Sequence, residues 1–156
     1  MKKALLTTLA AVAVVFAASA QRAGDWTITP KVNLIMHTGT GLVVGTGTGV
    51  RYNITDALRV EPSAIFMLDD RSSLEFSCDV HYVFTLVDNE WYIYPLAGLV
   101  ANDHTGPWSS GVNLGAGCDF RLTRDWDLTV QAKWQPMFNT WRRNSVAVTL
   151  GASYRF

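Results

Sequence analysis

Apolar residues recur at alternate positions along most of the chain from Trp26 to Phe156. Successive side chains of a strand point to opposite faces, so this alternation predicts strands with one apolar and one polar face. The first strand sets Trp26, Ile28, Pro30, Val32, Leu34 and Met36 against Thr27, Thr29, Lys31 and Asn33. The second sets Leu42, Val44, Val50, Tyr52 and Ile54 against Gly45, Gly47, Gly49 and Arg51. The third opposes Leu58, Val60, Ala64, Phe66 and Leu68 to Arg59, Glu61 and Ser63. In the fourth, Leu74, Phe76, Cys78, Val80, Tyr82, Phe84 and Leu86 oppose Glu75, Ser77, Asp79, His81 and Thr85. The fifth opposes Trp91, Ile93, Ala97 and Leu99 to Tyr92, Tyr94 and Gly98. In the sixth, Val112, Leu114, Ala116, Cys118, Phe120 and Leu122 oppose Asn113, Gly115, Gly117, Asp119 and Arg121. The seventh opposes Leu128, Val130, Trp134 and Phe138 to Thr129, Gln131, Lys133 and Gln135. The eighth opposes Val146, Val148, Leu150, Ala152, Tyr154 and Phe156 to Ser145, Thr149, Gly151, Ser153 and Arg155. Each strand has roughly ten residues, the length a tilted strand needs to cross a bilayer.

Turn-forming residues separate the strands. Asn53-Ile54-Thr55-Asp56, Val87-Asp88-Asn89-Glu90 and Thr123-Arg124-Asp125 mark three connections. The others fall near His37–Gly41, Asp69–Ser73, Asn102–Ser110 and Asn139–Asn144, with Asn102–Ser110 the longest. Pro30, Pro62 and Pro95 recur four residues after Trp26, Leu58 and Trp91. A mid-strand proline cannot donate to the ladder, so these positions are expected to be bulges, and Pro136 raises the same question of register.

Ahead of the strands lies an export signal. Lys2 and Lys3 precede an apolar stretch from Ala4 to Ala18, and Ala18-Ser19-Ala20 supplies a small-x-small cleavage pattern. Residues 1–20 are therefore expected to be a signal peptide removed after Ala20, leaving a barrel domain over 21–156. The residue directly after the cleavage site is Gln21 and not a cysteine, so nothing points to a lipoprotein. The whole chain carries 13 Lys+Arg against 13 Asp+Glu, and losing Lys2 and Lys3 leaves the mature part at −2. Nothing in that balance suggests nucleic acid as a partner. Only 17% of residues are charged while 12% are aromatic, the opposite of a disordered chain. Cys78 and Cys118 are too few for a disulfide scaffold and lack zinc-ligand spacing, so no metal and no cofactor is expected.

The alternation fits two barrels. A soluble one puts apolar residues inside to hold an apolar ligand; a membrane barrel puts them outside against lipid. Three features favour the second. The polar face mixes glycine with a balanced set of charges, Lys31, Arg51, Arg59, Glu61, Glu75, Asp79, His81, Asp119, Arg121, Lys133 and Arg155, suited to pairing across a lumen. Large aromatics cluster at strand ends: Trp26, Tyr52, Phe84, Trp91, Phe120, Tyr154 and Phe156 at one, Phe66, Phe76, Trp108, Phe138 and Trp141 at the other. Finally, the chain closes on Thr149-Leu150-Gly151-Ala152-Ser153-Tyr154-Arg155-Phe156. With Gly151, Tyr154 and Phe156 in place, this terminus resembles the C-terminal assembly signal of bacterial outer-membrane β-barrels.

Over about residues 24–156 the chain resembles the small outer-membrane barrels of the outer membrane protein A and X type, the porin-like "outer membrane protein β-barrel domain" family. That resemblance implies an all-β fold, an eight-stranded antiparallel up-and-down transmembrane β-barrel in the bacterial cell outer membrane. It also implies outer-membrane lipids as surroundings, the barrel assembly machinery as a partner of the last strand, a monomeric state, and a structural or porin-family role without catalysis.

Chemistry beyond this is sparse. Ser77, Asp79 and His81 share a face and could be read as a proton relay, but they fit better as members of the lumen network. His37 and His104, with Asp103, Ser109 and Ser110, lie near connections where an outer-membrane lipid-modifying enzyme would place its groups. The glycines of the second and sixth strands, on opposite walls, leave room for tyrosines and arginines reaching across. A lumen filled in that way is plugged.

Overall fold

The computed structural model describes residues 22–37, 41–68, 72–86, 90–103, 107–138 and 144–156. The export segment, its cleavage site, His104 and Trp141 lie outside the described residues. Nine strand segments follow one another: β1 (Trp26–His37), β2 (Gly41–Asn53), β3 (Leu58–Met67), β4 (Leu74–Tyr82), β5 (Phe84–Leu86), β6 (Trp91–Asn102), β7 (Ser109–Arg121), β8 (Trp126–Gln135) and β9 (Ser145–Arg155). β5 continues β4 past Val83, so together they make one wall, the fourth of eight. All neighbours pair antiparallel in the order β4-β3-β2-β1-β9-β8-β7-β6-β5, and β4 also pairs with β6, which closes the sheet. Closure removes the edge strands, whose unpaired N–H and C=O groups would otherwise be exposed.

The expected bulges are absent. Partners of β1 on β9 keep one register from Thr27↔Arg155 and Ile28↔Tyr154 to Lys31↔Gly151 and beyond, and only the two pairs at Thr29 and Pro30 are missing. The same lapse without a slip occurs between β2 and β3 beside Pro62 and between the fourth wall and β6 beside Pro95. Each proline thus interrupts the ladder it cannot donate to, while its other ladder runs on through Pro30↔Thr48, Pro62↔Cys78 and Pro95↔Ala116. Beyond Pro136 the bridge Gly111↔Met137 also keeps the register of β7 with β8. A bulge needs an extra residue on one strand. Here a missing donor is the whole defect.

The start of β1 and the end of β9 sit at one end, with two tight turns among the described residues. In each turn a threonine hydroxyl accepts backbone amides: Thr55 Oγ1 from Leu58 N at 2.9 Å, and Thr123 Oγ1 from Trp126 N at 3.2 Å. This is the turn end; the opposite one is the loop end. β6 runs to Asn102 and β7 starts at Ser109, so both strands reach the bounds of the connection expected at Asn102–Ser110.

Candidate functional site

The strands place their polar faces inward. Glu61, Asp79, His81 and Asp119 are 0% exposed, whereas Leu99 is 64% and Met36 63% exposed on the outside. A soluble ligand-binding barrel needs the reverse, so that alternative is overturned. Among the described residues two small apolar clusters lie inside: Ile35, Ile65, Met67 and Ala147 near the loop end, and Val83, Tyr92, Tyr94 and Leu96 along the fourth and fifth walls.

Among the described residues the inward charges form three bonded groups. In the largest, Glu61 on β3 bridges the ammonium of Lys31 and the Nε of Arg51. Arg51 then crosses the lumen from β2 to Asp119 on β7, with Nη1–Oδ2 at 3.2 Å. Arg59 reaches the same carboxylate at 2.7 Å and donates through Nε to His81 Nδ1 at 2.9 Å, which requires that nitrogen to be unprotonated. Tyr94 lies beneath: the Arg59 guanidinium sits 4.3 Å from its ring centroid, the His81 ring stacks at 4.7 Å, and its hydroxyl donates to Asp119 at 3.0 Å. Thr129, Ser153 and Thr29 extend the group by hydroxyl contacts of 2.8 Å.

The second group lies nearer the loop end. Lys133 Nζ meets Asp79 Oδ2 at 2.7 Å, and Asn113 Nδ2 donates to the other oxygen at 2.7 Å. Gln135 Nε2 donates to Asn113 Oδ1 at 3.1 Å and to Glu75 at 3.2 Å. The third group is at the turn-end mouth, where Asp127 receives Arg155 at 2.8 Å and lies 3.7 Å from Arg121, whose guanidinium covers Tyr92 at 5.1 Å. Arg121 and Arg155 keep part of their surface in solvent there.

All eleven expected lumen residues therefore point inward, and each takes part in one of these groups. Asp127 was not singled out from the sequence; its odd number, two before Thr129, is the signal that places it on the same face. The relay reading fails in its geometry: Ser77 bonds to Ser63 at 2.8 Å, while Asp79 and His81 have the separate partners just described. Of the rim set, the described members have separate partners, and His104 lies outside the described residues. Asp103 accepts from Leu74 N at 2.7 Å and Ser110 faces outward, while His37 Nδ1 pairs with Ser145 Oγ at 2.7 Å. The glycines behave in two ways. A Cβ on Gly117 would fall 2.5 Å from the Tyr94 ring, and one on Gly49 2.9 Å from the Lys31 ammonium, so those two do make room for crossing side chains. Gly47 and Gly115 instead face the neighbouring backbone, at 2.1 Å from the Ala64 and Ala132 carbonyl oxygens.

Outside, aromatic pairs band the turn end: Trp26 with Tyr52 at 4.7 Å, Tyr82 with Phe84 at 4.9 Å, Trp91 with Phe120 at 4.7 Å, Trp126 with Tyr154 at 5.1 Å. Phe156 stands edge-on to Tyr154 at 5.2 Å, and its amide donates to Trp26 O at 3.0 Å, seaming the last strand to the first. At the loop end Phe76 stacks on Trp108 at 5.9 Å.

An eight-stranded closed barrel, apolar outside and ion-paired inside, is the architecture of the small outer-membrane barrels. The chain superposes on the N-terminal β-barrel domain of Pseudomonas aeruginosa OprF with a TM-score of 0.73, at 17% identity over 87% of this chain and 100% of that one. Neisserial surface protein A is similar with a TM-score of 0.64, at 15% identity over 85% and 99% of the two chains. A structure titled as de novo design of transmembrane β-barrels matches at 0.60, with 17% identity over 87% and 98%. At such identities the likeness is one of fold. No protein-family model matches the chain, and no curated protein matches it in sequence.

Proposed function

We propose that this chain is a monomeric integral protein of the bacterial outer membrane, a non-catalytic barrel of structural or porin-family role whose lumen is plugged by its own ion-pair network. The observation that carries the reading is the inversion of faces, with rows of exposed Leu, Val, Trp and Phe around buried charges. In water such an exterior would aggregate. In hydrocarbon it is the solvated surface, and a closed sheet satisfies the backbone there without water. The aromatic band at the turn end suits a headgroup layer. Gly151, Tyr154 and Phe156 on the closing strand are the proposed recognition signal for the assembly machinery, and cleavage after Ala20 the proposed processing.

Cell fractionation tests the location: the protein should partition with outer membranes and run faster on gels before boiling than after. Recovery in the soluble periplasm without detergent would refute it. Intact mass should correspond to a chain starting at Gln21; a mass that includes Met1 would refute the processing. A second reading, lipid modification at the loop end, draws on the His37–Ser145 hydrogen bond. Ser145 is only 3% exposed, which disfavours attack on a lipid. Incubation with lipid A and phospholipid should leave both unchanged, and release of an acyl chain that is lost in Ser145→Ala would establish the enzyme instead.

A further inference from the structure

Three buried oxygens inside the barrel have no hydrogen-bond partner among the described residues and sit side by side: Asn33 Oδ1, Thr149 Oγ1 and Gln131 Oε1. Their residues are direct register partners on three adjacent walls, Asn33↔Thr149 between β1 and β9 and Gln131↔Thr149 between β8 and β9. All are at most 2% exposed. Gln131 cannot turn its amide to escape. The Tyr94 hydroxyl gives its proton to Asp119, so it receives the Gln131 Nε2 hydrogen at 3.2 Å, and Oε1 is held facing away.

The row also falls at a junction. One step toward the turn end is the row of Lys31, Gly151 and Thr129, in the first bonded group. One step toward the loop end is the row of Ile35, Ala147 and Lys133, where Lys133 belongs to the second. An ammonium has three N–H donors. Lys31 and Lys133 each direct one at a carboxylate, which leaves each ammonium further N–H groups to offer. Buried polar groups are rarely left unpaired, and a site with several of them is where ordered water is found. The Asn33 and Gln131 amide oxygens can only accept, so whatever binds must donate to them, which excludes an anion, while the Thr149 hydroxyl can accept or donate. Two lysines flanking the row disfavour a metal cation or ammonium.

We propose that Asn33, Thr149 and Gln131 form a binding site for ordered water inside the lumen, and that this water joins the Lys31–Glu61–Arg51–Asp119 group to the Lys133–Asp79 group. The site depends on the inward face alone, whether or not the lumen conducts. The first measurement is magnetisation transfer from water to the Thr149 methyl and to the Asn33 and Gln131 side-chain amides in detergent-folded protein. Cross-peaks of the sign given by long-lived water are expected, and their absence overturns the proposal. The second is Thr149→Val, which keeps shape and removes the hydroxyl. If water bonds that hydroxyl, the denaturation midpoint falls and the cross-peaks weaken. A midpoint unchanged or raised would mean a dry, unsatisfied group had been relieved, and would overturn the proposal. Replacing sodium by choline should leave the wild-type midpoint where it was; a drop would identify a cation as the occupant, which also overturns it.

Discussion

Asp119 takes hydrogen bonds from Arg51, Arg59, Tyr94 and Thr129, at 3.2, 2.7, 3.0 and 2.9 Å, in a place where no solvent reaches it. Removing that carboxylate leaves two guanidiniums short of a counter-charge, and breaking a buried pair in this way costs about 3–5 kcal/mol. Asp119→Ala should therefore lower the denaturant midpoint of folded barrel far more than Arg155→Ala, whose pair lies at the mouth and belongs with surface bridges of roughly 0–1 kcal/mol. Equal effects in an unfolding titration would contradict the buried-network account. The outward residues follow the opposite rule. Val80 and Leu114 are 44% and 45% exposed on the apolar exterior. Arginine in place of either should cost about 2–4 kcal/mol in lipid, because its charge has little water near the bilayer midplane. Thr85→Arg is the control, since Thr85 pairs with inward-facing Tyr92 near the turn end. Folding titrations into lipid vesicles that found Val80→Arg as tolerable as Thr85→Arg would reverse the assignment of faces.

Along the strands, spacing and close approach decide what can change. A Cβ on Gly47 would meet the Ala64 carbonyl oxygen at 2.1 Å, and backbone in a closed ladder cannot move aside cheaply. One on Gly49 meets only the flexible end of Lys31 and the tip of Glu61. Gly47→Ala should thus cost about 1–3 kcal/mol by overpacking, and Gly49→Ala distinctly less; midpoints of the two variants compared side by side provide the check. Cys78 and Cys118 both face outward but on β4 and β7, with β6 between them. Two strand spacings are roughly 9.6 Å, beyond the about 7 Å reach of a disulfide. Thiol titration of unfolded, unreduced protein should count two free groups, and none in monomeric protein would mean a different strand order. Strand number, face and inward residues were all legible in the sequence because a period of two needs only parity to be read. Parity says nothing of depth. That is why Asp127 escaped notice beside its turn, and why the partition of the charges into three groups, set by the stagger of the strands, could not be foreseen. The prolines misled for a related reason: a residue that cannot donate announces a fault in the ladder but not its form, and closure held the register that an open sheet could have lost.

For the molecule as a whole, the question is whether the interior transmits anything. An eight-stranded barrel is only wide enough for side chains to fill. Here they cross it: Arg51 from the second wall to the sixth, Lys133 from the seventh to the fourth, and Gln135 to Glu75 along the same line. Charges unpaired in so dry a space would be costly, so each crossing bond is held by the penalty for breaking it as well as by its own attraction. Glycine on the second and sixth walls removes side-chain volume from the bore. Tyr94 occupies the space at Gly117, Lys31 and Glu61 that at Gly49, and neighbouring backbone that at Gly47 and Gly115. Ordered water among Asn33, Thr149 and Gln131 would bridge bonded groups without linking one mouth to the other, because Ile35, Ile65, Met67 and Ala147 pack above it. Protein reconstituted in planar bilayers should accordingly show no stable open pore, with at most small, intermittent conductance. In Asp119→Ala, where the crossing from Arg51 has lost its acceptor, such openings should become more frequent. Steady conductance of the unaltered protein on the scale of a wide porin would overturn the plugged lumen and make passive diffusion its function.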